Sequence, residues 1–218
     1  VVLSARGLSK RYRTDRPWAL RDVTLDIRAG SLTAIVGPNG AGKSTLIRTW
    51  MGFERPTLGS ASVMGCDPWT DRERALASLG YVPQGTSLYR SLTVDDHVEL
   101  AAALRDPFDA DLVRARLQQL GIEPRQQALE LSGGQQAQLC LAIALGTRAP
   151  VLLLDEPLAS LDPLARRELM LMLVGVIREE GRTAVMSSHV VTDVEGACDR
   201  MIILSDGHVR STWRSRTC

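Results

Sequence analysis

The octapeptide GPNGAGKS, residues 37–44, constrains the fold of this 218-residue chain more than any other stretch. It meets the GxxxxGK[ST] spacing at every required position, and it stands between two segments of different character. Before it, LTAIVG (32–37) is short, apolar and rich in β-branched residues, as a buried strand requires. After it, LIRTWM reads as a helix. Strand, glycine-rich loop and helix in that order bring a run of backbone N–H groups to the positive end of a helix dipole. Such a loop cradles phosphate. Lys43 reaches toward terminal phosphates, Ser44 can coordinate magnesium, and Gly37, Pro38, Asn39, Gly40, Ala41, Gly42 and Thr45 complete the binding loop.

A second segment supplies what phosphate chemistry needs. VLLLDEP, residues 151–157, sets two carboxylates directly after an apolar strand, at the sheet edge where doubly wound folds bind ligands. Asp155 is suited to hold magnesium through water. Glu156, one residue on, can accept a proton from the water attacking a γ-phosphate, or orient it. Alone, an Asp-Glu pair after a strand reads as a solvated loop; beside a phosphate loop it reads as a magnesium site.

The rest of the chain alternates strands and helices. LRDVTLDI (20–27) has the imperfect alternation of a half-buried strand. Residues 70–130 read mainly as helix, interrupted by a short LGYVPQ strand, with Thr93 and Asp96 forming a capping box and Gly121 stopping a second helix. Thereafter come a helix to Gly146, the VLLLDE strand, a helix from Asp162-Pro163 to Gly181, the strand TAVMSS, a helix over 190–197, the strand MIILS and a DGH turn. The basic tail after residue 210 has no clear pattern. Fully apolar strands alternating with helices imply a mainly parallel sheet covered on both faces.

Composition excludes several classes. A net charge of +1 offers no general attraction to nucleic acid. Four cysteines at 66, 140, 198 and 218 are too scattered for a zinc site or a disulfide framework. No apolar run approaches the ~20 residues of a membrane-spanning helix, so membrane contact is expected only through a partner. No secretory leader opens the chain, and a cytoplasmic location at the inner face of the membrane is the expectation.

LSGGQQ, residues 131–136, is a second glycine-rich loop opening a second helix about twenty residues before the carboxylate strand. With it, the chain resembles the ATP-binding-cassette ATPases over residues 1–210. That resemblance implies an α/β P-loop NTPase fold: a parallel core, an N-terminal antiparallel β subdomain and an inserted α-helical signature lobe. It makes residues 1–218 one domain, with a catalytic core of about 1–84 and 148–210, a lobe of about 85–147, and a tail of 211–218. It implies that Tyr12 stacks on adenine, that Gln84 contacts magnesium and water, and that His189 contacts the γ-phosphate; Asp162 meets a partner subunit, although it would serve equally as a helix cap. It further implies ATP and Mg²⁺ as ligands and a head-to-tail dimer. Ser132, Gly133, Gly134 and Gln135 of one subunit then cover the ATP held by the other.

Gln138 and Ile143 stand where the family commonly has arginines, which puts the usual packing of the signature helix in question. Residues 85–102 resemble the stretch that receives the coupling helix of a separately encoded permease, with Leu88 and Tyr89 as contacts; burial in the lobe is the competing reading. The short C-terminus looks more like the exporter branch. The expected function is ATP-driven transport, and the alternative is a soluble cassette ATPase acting in assembly of a protein or metal-cluster complex.

Overall fold

The computed structural model describes residues 1–85, 87–159 and 161–214. The chain opens with β1 (Leu3–Lys10) and β2 (Leu20–Ile27), followed by β3 (Leu32–Val36), α1 (Lys43–Trp50) and β4 (Leu58–Val63). Next come α2 (Arg72–Ala77), β5 (Leu79–Val82), α3 (Val94–Leu104) and α4 (Ala110–Gln119). A 3₁₀ turn at Ala128–Glu130 leads into α5 (Gly133–Gly146), β6 (Val151–Leu154), α6 (Pro163–Glu180), β7 (Thr183–Ser188), β8 (Arg200–Ser205) and β9 (His208–Arg214).

Two sheets result. A three-stranded antiparallel sheet has the order β2-β1-β4, and a six-stranded sheet has the order β5-β6-β7-β3-β8-β9. All pairings in the larger sheet are parallel except that of β9 with β8. The expected α/β architecture is therefore present, with the antiparallel subdomain at the N-terminus.

The apolar patterns explain the layers. In β2 the residues expected inside, Leu20, Val23, Leu25 and Ile27, are all buried. Every residue of β3, β6 and β7 is buried, as central strands with helices on both faces require. Trp50 at the end of α1 is fully buried, and its indole N–H donates to the Ser4 carbonyl at 2.9 Å, which locks α1 to β1. A separate apolar cluster of Val94, Val98, Val113, Leu117, Ile122, Leu131, Leu139 and Ala142 binds α3, α4 and α5 into the helical lobe.

Local chemistry sets the helix ends. Thr93 and Asp96 form the expected capping box, and Asp162 accepts from the N–H groups of Leu164 and Ala165 with Pro163 at the first helical position. Gly181 ends α6 at φ 67.

Two expectations fail. Residues 190–197 form a run of turns instead of a helix: Val194 and Glu195 both donate to Val191 O, but Gly196 at φ 84 breaks the helical path. The start of the tail is also ordered, because Ser211–Arg214 continue β9 antiparallel to β8. The remainder, 215–218, lies outside the described residues, as does the expectation for Cys218.

Candidate nucleotide-binding site

The order β6-β7-β3 brings the ends of three parallel strands together, and each delivers one part of the site. From β3 the loop 37–42 runs into α1. Gly37 N–H donates to Ser188 O at 3.2 Å, and Gly207 N–H donates to Ala41 O at 3.2 Å, so the loop is pinned to β7 on one side and to the β8–β9 turn on the other. A Cβ at Gly37 would lie 2.1 Å from Leu204 O, so only glycine fits. Gly42 caps α1 at φ 103 without a side-chain hydrogen bond, which leaves the first amides of the helix uncapped by any side chain.

Lys43 folds back over this loop. Its ammonium donates to Gly37 O at 2.7 Å and Pro38 O at 3.2 Å, and lies 3.0 Å from Glu156 Oε1. From β6, Asp155 is wholly buried. Its Oδ1 accepts the hydroxyls of Ser44 at 3.0 Å and Ser187 at 2.7 Å, whereas Oδ2 is buried with no hydrogen-bond partner among the described residues. Glu156 has a left-handed backbone, φ 51, and its N–H donates to Ser187 Oγ at 2.7 Å. From the end of β7, His189 donates through Nδ1 to Glu156 Oε2 at 2.7 Å. A neutral ring donating from Nδ1 has only an acceptor at Nε2. Contact with a phosphate oxygen thus requires a second proton or a turn of the ring.

The residues at the end of β6 suit a magnesium ion. Asp155 offers one carboxylate oxygen lacking a partner among the described residues, beside the hydroxyl of Ser44. A magnesium ion bound by one carboxylate, one hydroxyl, phosphate and water needs no larger acidic cage, and among the described residues none of three or more His, Cys, Asp or Glu exists. Nearby, burial pushes the Tyr81 phenol above its usual range, and the charge of Asp155 adds to the effect.

A cleft of about 340 Å³ brings Tyr12, Lys43, Ser44, Thr45, Gln84 and Glu156 together with Asn39, Gly40 and Gly42. Tyr12 is 52% exposed and shares a 3.2 Å hydrogen bond with Thr45 Oγ1, while Lys10 lies 5.1 Å from its ring centroid. One aromatic face is already met by a cation. A larger cavity of about 510 Å³ between α3 and α4 contains none of the residues assigned from sequence.

The signature residues lie apart, at the start of α5. Ser132 Oγ accepts Gln135 N–H at 3.2 Å while Gln135 Oε1 accepts Ser132 N–H at 2.9 Å, a reciprocal capping box. Gln136, which sequence reasoning did not single out, fastens the loop by donating to Ala128 O and Leu131 O. Gln138 is buried with Oε1 unpartnered among the described residues, and Ile143 packs against the apolar cluster of the lobe. Leu88 also packs there. Tyr89 is 63% exposed, and its N–H donates to His97 Nε2 at 3.0 Å.

Ser187 is the other missed residue. Its only sequence signal is a hydroxyl near the end of the strand TAVMSS, where Thr183 and Ser188 carry hydroxyls too; it lies next to the carboxylate strand in space but 32 residues from Asp155 in the chain.

Known proteins resemble this chain in sequence and share its fold. A model of the ABC transporter family matches residues 20–159. The chain is 38% identical over 215 residues to the probable multidrug ABC transporter ATP-binding protein YbhF of Escherichia coli, covering 96% of this chain and 37% of that protein. It is 35% identical to the sulfate/thiosulfate import ATP-binding protein CysA of Mesorhizobium japonicum, covering 95% of this chain and 62% of that one. It spans only 10% to 13% of the sub-family A proteins that it also matches. Among solved structures, a dimeric post-hydrolysis ATP-binding cassette, MJ0796 bound to ADP and Pi, superposes with a TM-score of 0.88 at 26% identity, covering 99% of this chain and 100% of that one.

Proposed function

Because this chain belongs to the ABC transporter family, we propose that it hydrolyses ATP as the motor of a membrane transporter, closing as a dimer on ATP and opening after hydrolysis. The observation that carries the reading is the Glu156 carboxylate, shared between Lys43 on one oxygen and His189 on the other at the mouth of the phosphate loop. Lys43, the uncapped amides of α1 and Gly40 hold the phosphates. Tyr12 meets adenine. Glu156 orients the attacking water and accepts its proton, and His189 holds Glu156 in place. Asp155, Ser44 and Gln84 are the candidate holders of Mg²⁺, which when bound neutralises charge on the phosphate oxygens.

Pairing follows from the second loop. Ser132, Gly133, Gly134 and Gln135 stand at a helix N-terminus away from the cleft, so they serve an ATP held by another copy or a homologue, with Asp162 beside that partner. No helix among the described residues is long and apolar enough to cross a membrane. In this reading a separately encoded permease supplies the path, receiving the chain at its cytoplasmic face through exposed Tyr89. No nucleic acid enters this reading.

Transport is favoured over a soluble assembly role by relatives such as the multidrug and the sulfate/thiosulfate proteins, whose names are those of transporter ATPases. Export is supported by the likeness to the multidrug protein; import is the second reading, supported by the sulfate/thiosulfate protein. The test is light scattering with and without ATP, then ATPase activity in vesicles with the permease that co-purifies. A monomer at saturating ATP in a hydrolysis-blocked variant would refute pairing, and cargo moving into or out of the cytoplasmic side decides the direction.

A further inference from the structure

Ser187 sits one residue before the end of β7 and is 1% exposed. A buried hydroxyl is costly unless it is satisfied, and alanine would occupy the strand position without that cost. This hydroxyl is satisfied twice. It donates to Asp155 Oδ1 at 2.7 Å and accepts Glu156 N–H at 2.7 Å, touching both residues of the carboxylate pair with one oxygen. We infer that Ser187 is a positioning residue that sets the rotation of Asp155 toward its cation and the backbone turn that aims Glu156; this rests on the roles proposed above for those two residues.

The geometry explains why a second hydroxyl is needed. Asp155 Oδ1 accepts from both Ser44 and Ser187, while Oδ2 has no partner among the described residues. Ser44 is assigned to the cation, and turning its oxygen there releases Oδ1. Ser187 stays. It then keeps the carboxylate from rotating and leaves Oδ2 as the free ligand oxygen. The same oxygen anchors the N–H of Glu156, whose φ of 51 is a conformation that a side-chain-bearing residue adopts only when its surroundings hold it. Asp155 and Glu156 are thereby set together.

The experiment compares Ser187→Ala, Ser187→Cys and Asp155→Asn with the parent chain. Manganese binding in the presence of ATP is followed by electron paramagnetic resonance, binding of a fluorescent ATP analogue is measured in EDTA, and kcat is taken at saturating Mg²⁺. Ser187→Ala should raise the Mn²⁺ midpoint and lower kcat, each by about 10- to 100-fold, the cost typical of losing an outer-shell partner. Nucleotide binding in EDTA should not change. Ser187→Cys keeps the volume with weaker hydrogen bonds; it should move both quantities the same way and serves if the alanine variant does not fold. An unshifted Mn²⁺ midpoint and kcat in the Ser187 variants, alongside a shift in Asp155→Asn, overturns the inference. Loss of nucleotide binding in EDTA by a folded Ser187 variant also overturns it. An unshifted midpoint in Asp155→Asn instead sinks the cation assignment on which the inference stands.

Discussion

The ammonium of Lys43 lies 3.0 Å from Oε1 of Glu156, with both side chains only 5% exposed. Two loop carbonyls take its other N–H groups, so an incoming phosphate must displace at least one of these partners. Glu156→Gln keeps the shape and removes the charge that competes for Lys43. Turnover should fall about 10²- to 10⁴-fold through loss of the proton acceptor, while ATP binds more tightly than to the parent. Steady-state ATPase assays and ATP titrations check both halves; weaker ATP binding would mean that the pair prepares the lysine instead of restraining it.

Ser132 has two jobs that substitutions can separate. As the N-cap of α5 it stabilises the fold, and Ser132→Ala should cost about 0.5–2 kcal/mol in a denaturant melt. Asparagine caps about as well as serine, so Ser132→Asn should recover that stability without recovering ATP-dependent pairing. If Ser132→Asn pairs normally by light scattering, the hydroxyl contributes to the cap alone.

Acid should loosen the helical lobe at a definite place. Asp109 caps α4 through Leu112 N–H and pairs with Arg148 at 2.7 Å; the amide first and the guanidinium second hold its carboxyl below the ordinary 3.8. A carboxyl with a lowered folded pKa contributes stability above its unfolded pKa and loses it as pH falls through the folded value. The loss therefore begins near 3.8 and deepens below it. Asp109→Asn keeps the cap but not the charge, and should flatten this acid limb in urea melts taken from about pH 6 downward.

Cys198 should be silent in the native protein. Burial, with the neighbouring Asp199 charge adding to it, pushes its thiol up to about 12. Against an ordinary thiol at 9.0, its thiolate fraction near neutral pH is lower by about a thousandfold. Iodoacetamide labelling read by mass spectrometry should spare Cys198 until the chain is unfolded. Native labelling at an ordinary thiol rate would show that the turns at 191–197 open readily.

Much of the fold could be read from local chemistry. β2, the phosphate loop, the caps at Thr93, Ser132 and Asp162, and the stop at Gly181 each depend on residues within a few positions of one another. Segments whose state depends on distant partners were not legible. Residues 190–197 have helical composition, yet Val194 and Cys198 are buried in the core cluster that includes Ala34, Met186 and Met201, and Gly196 at φ 84 breaks the helical path between them. Ser211–Arg214 look like a polar tail until β8 supplies their hydrogen bonds.

The candidate site divides along the same line. Sequence alone determined the phosphate loop, because a cradle of backbone amides is a matter of spacing within eight residues, and it named Asp155 and Glu156 as chemistry-bearing groups, with His189 added only through the family resemblance. Tertiary structure decided that one carboxylate serves both Lys43 and His189 and that Ser187 ties Asp155 to Glu156. Those contacts exist because β6, β7 and β3 lie side by side. Strand order is set by packing across the whole core, and no local stretch of sequence encodes it.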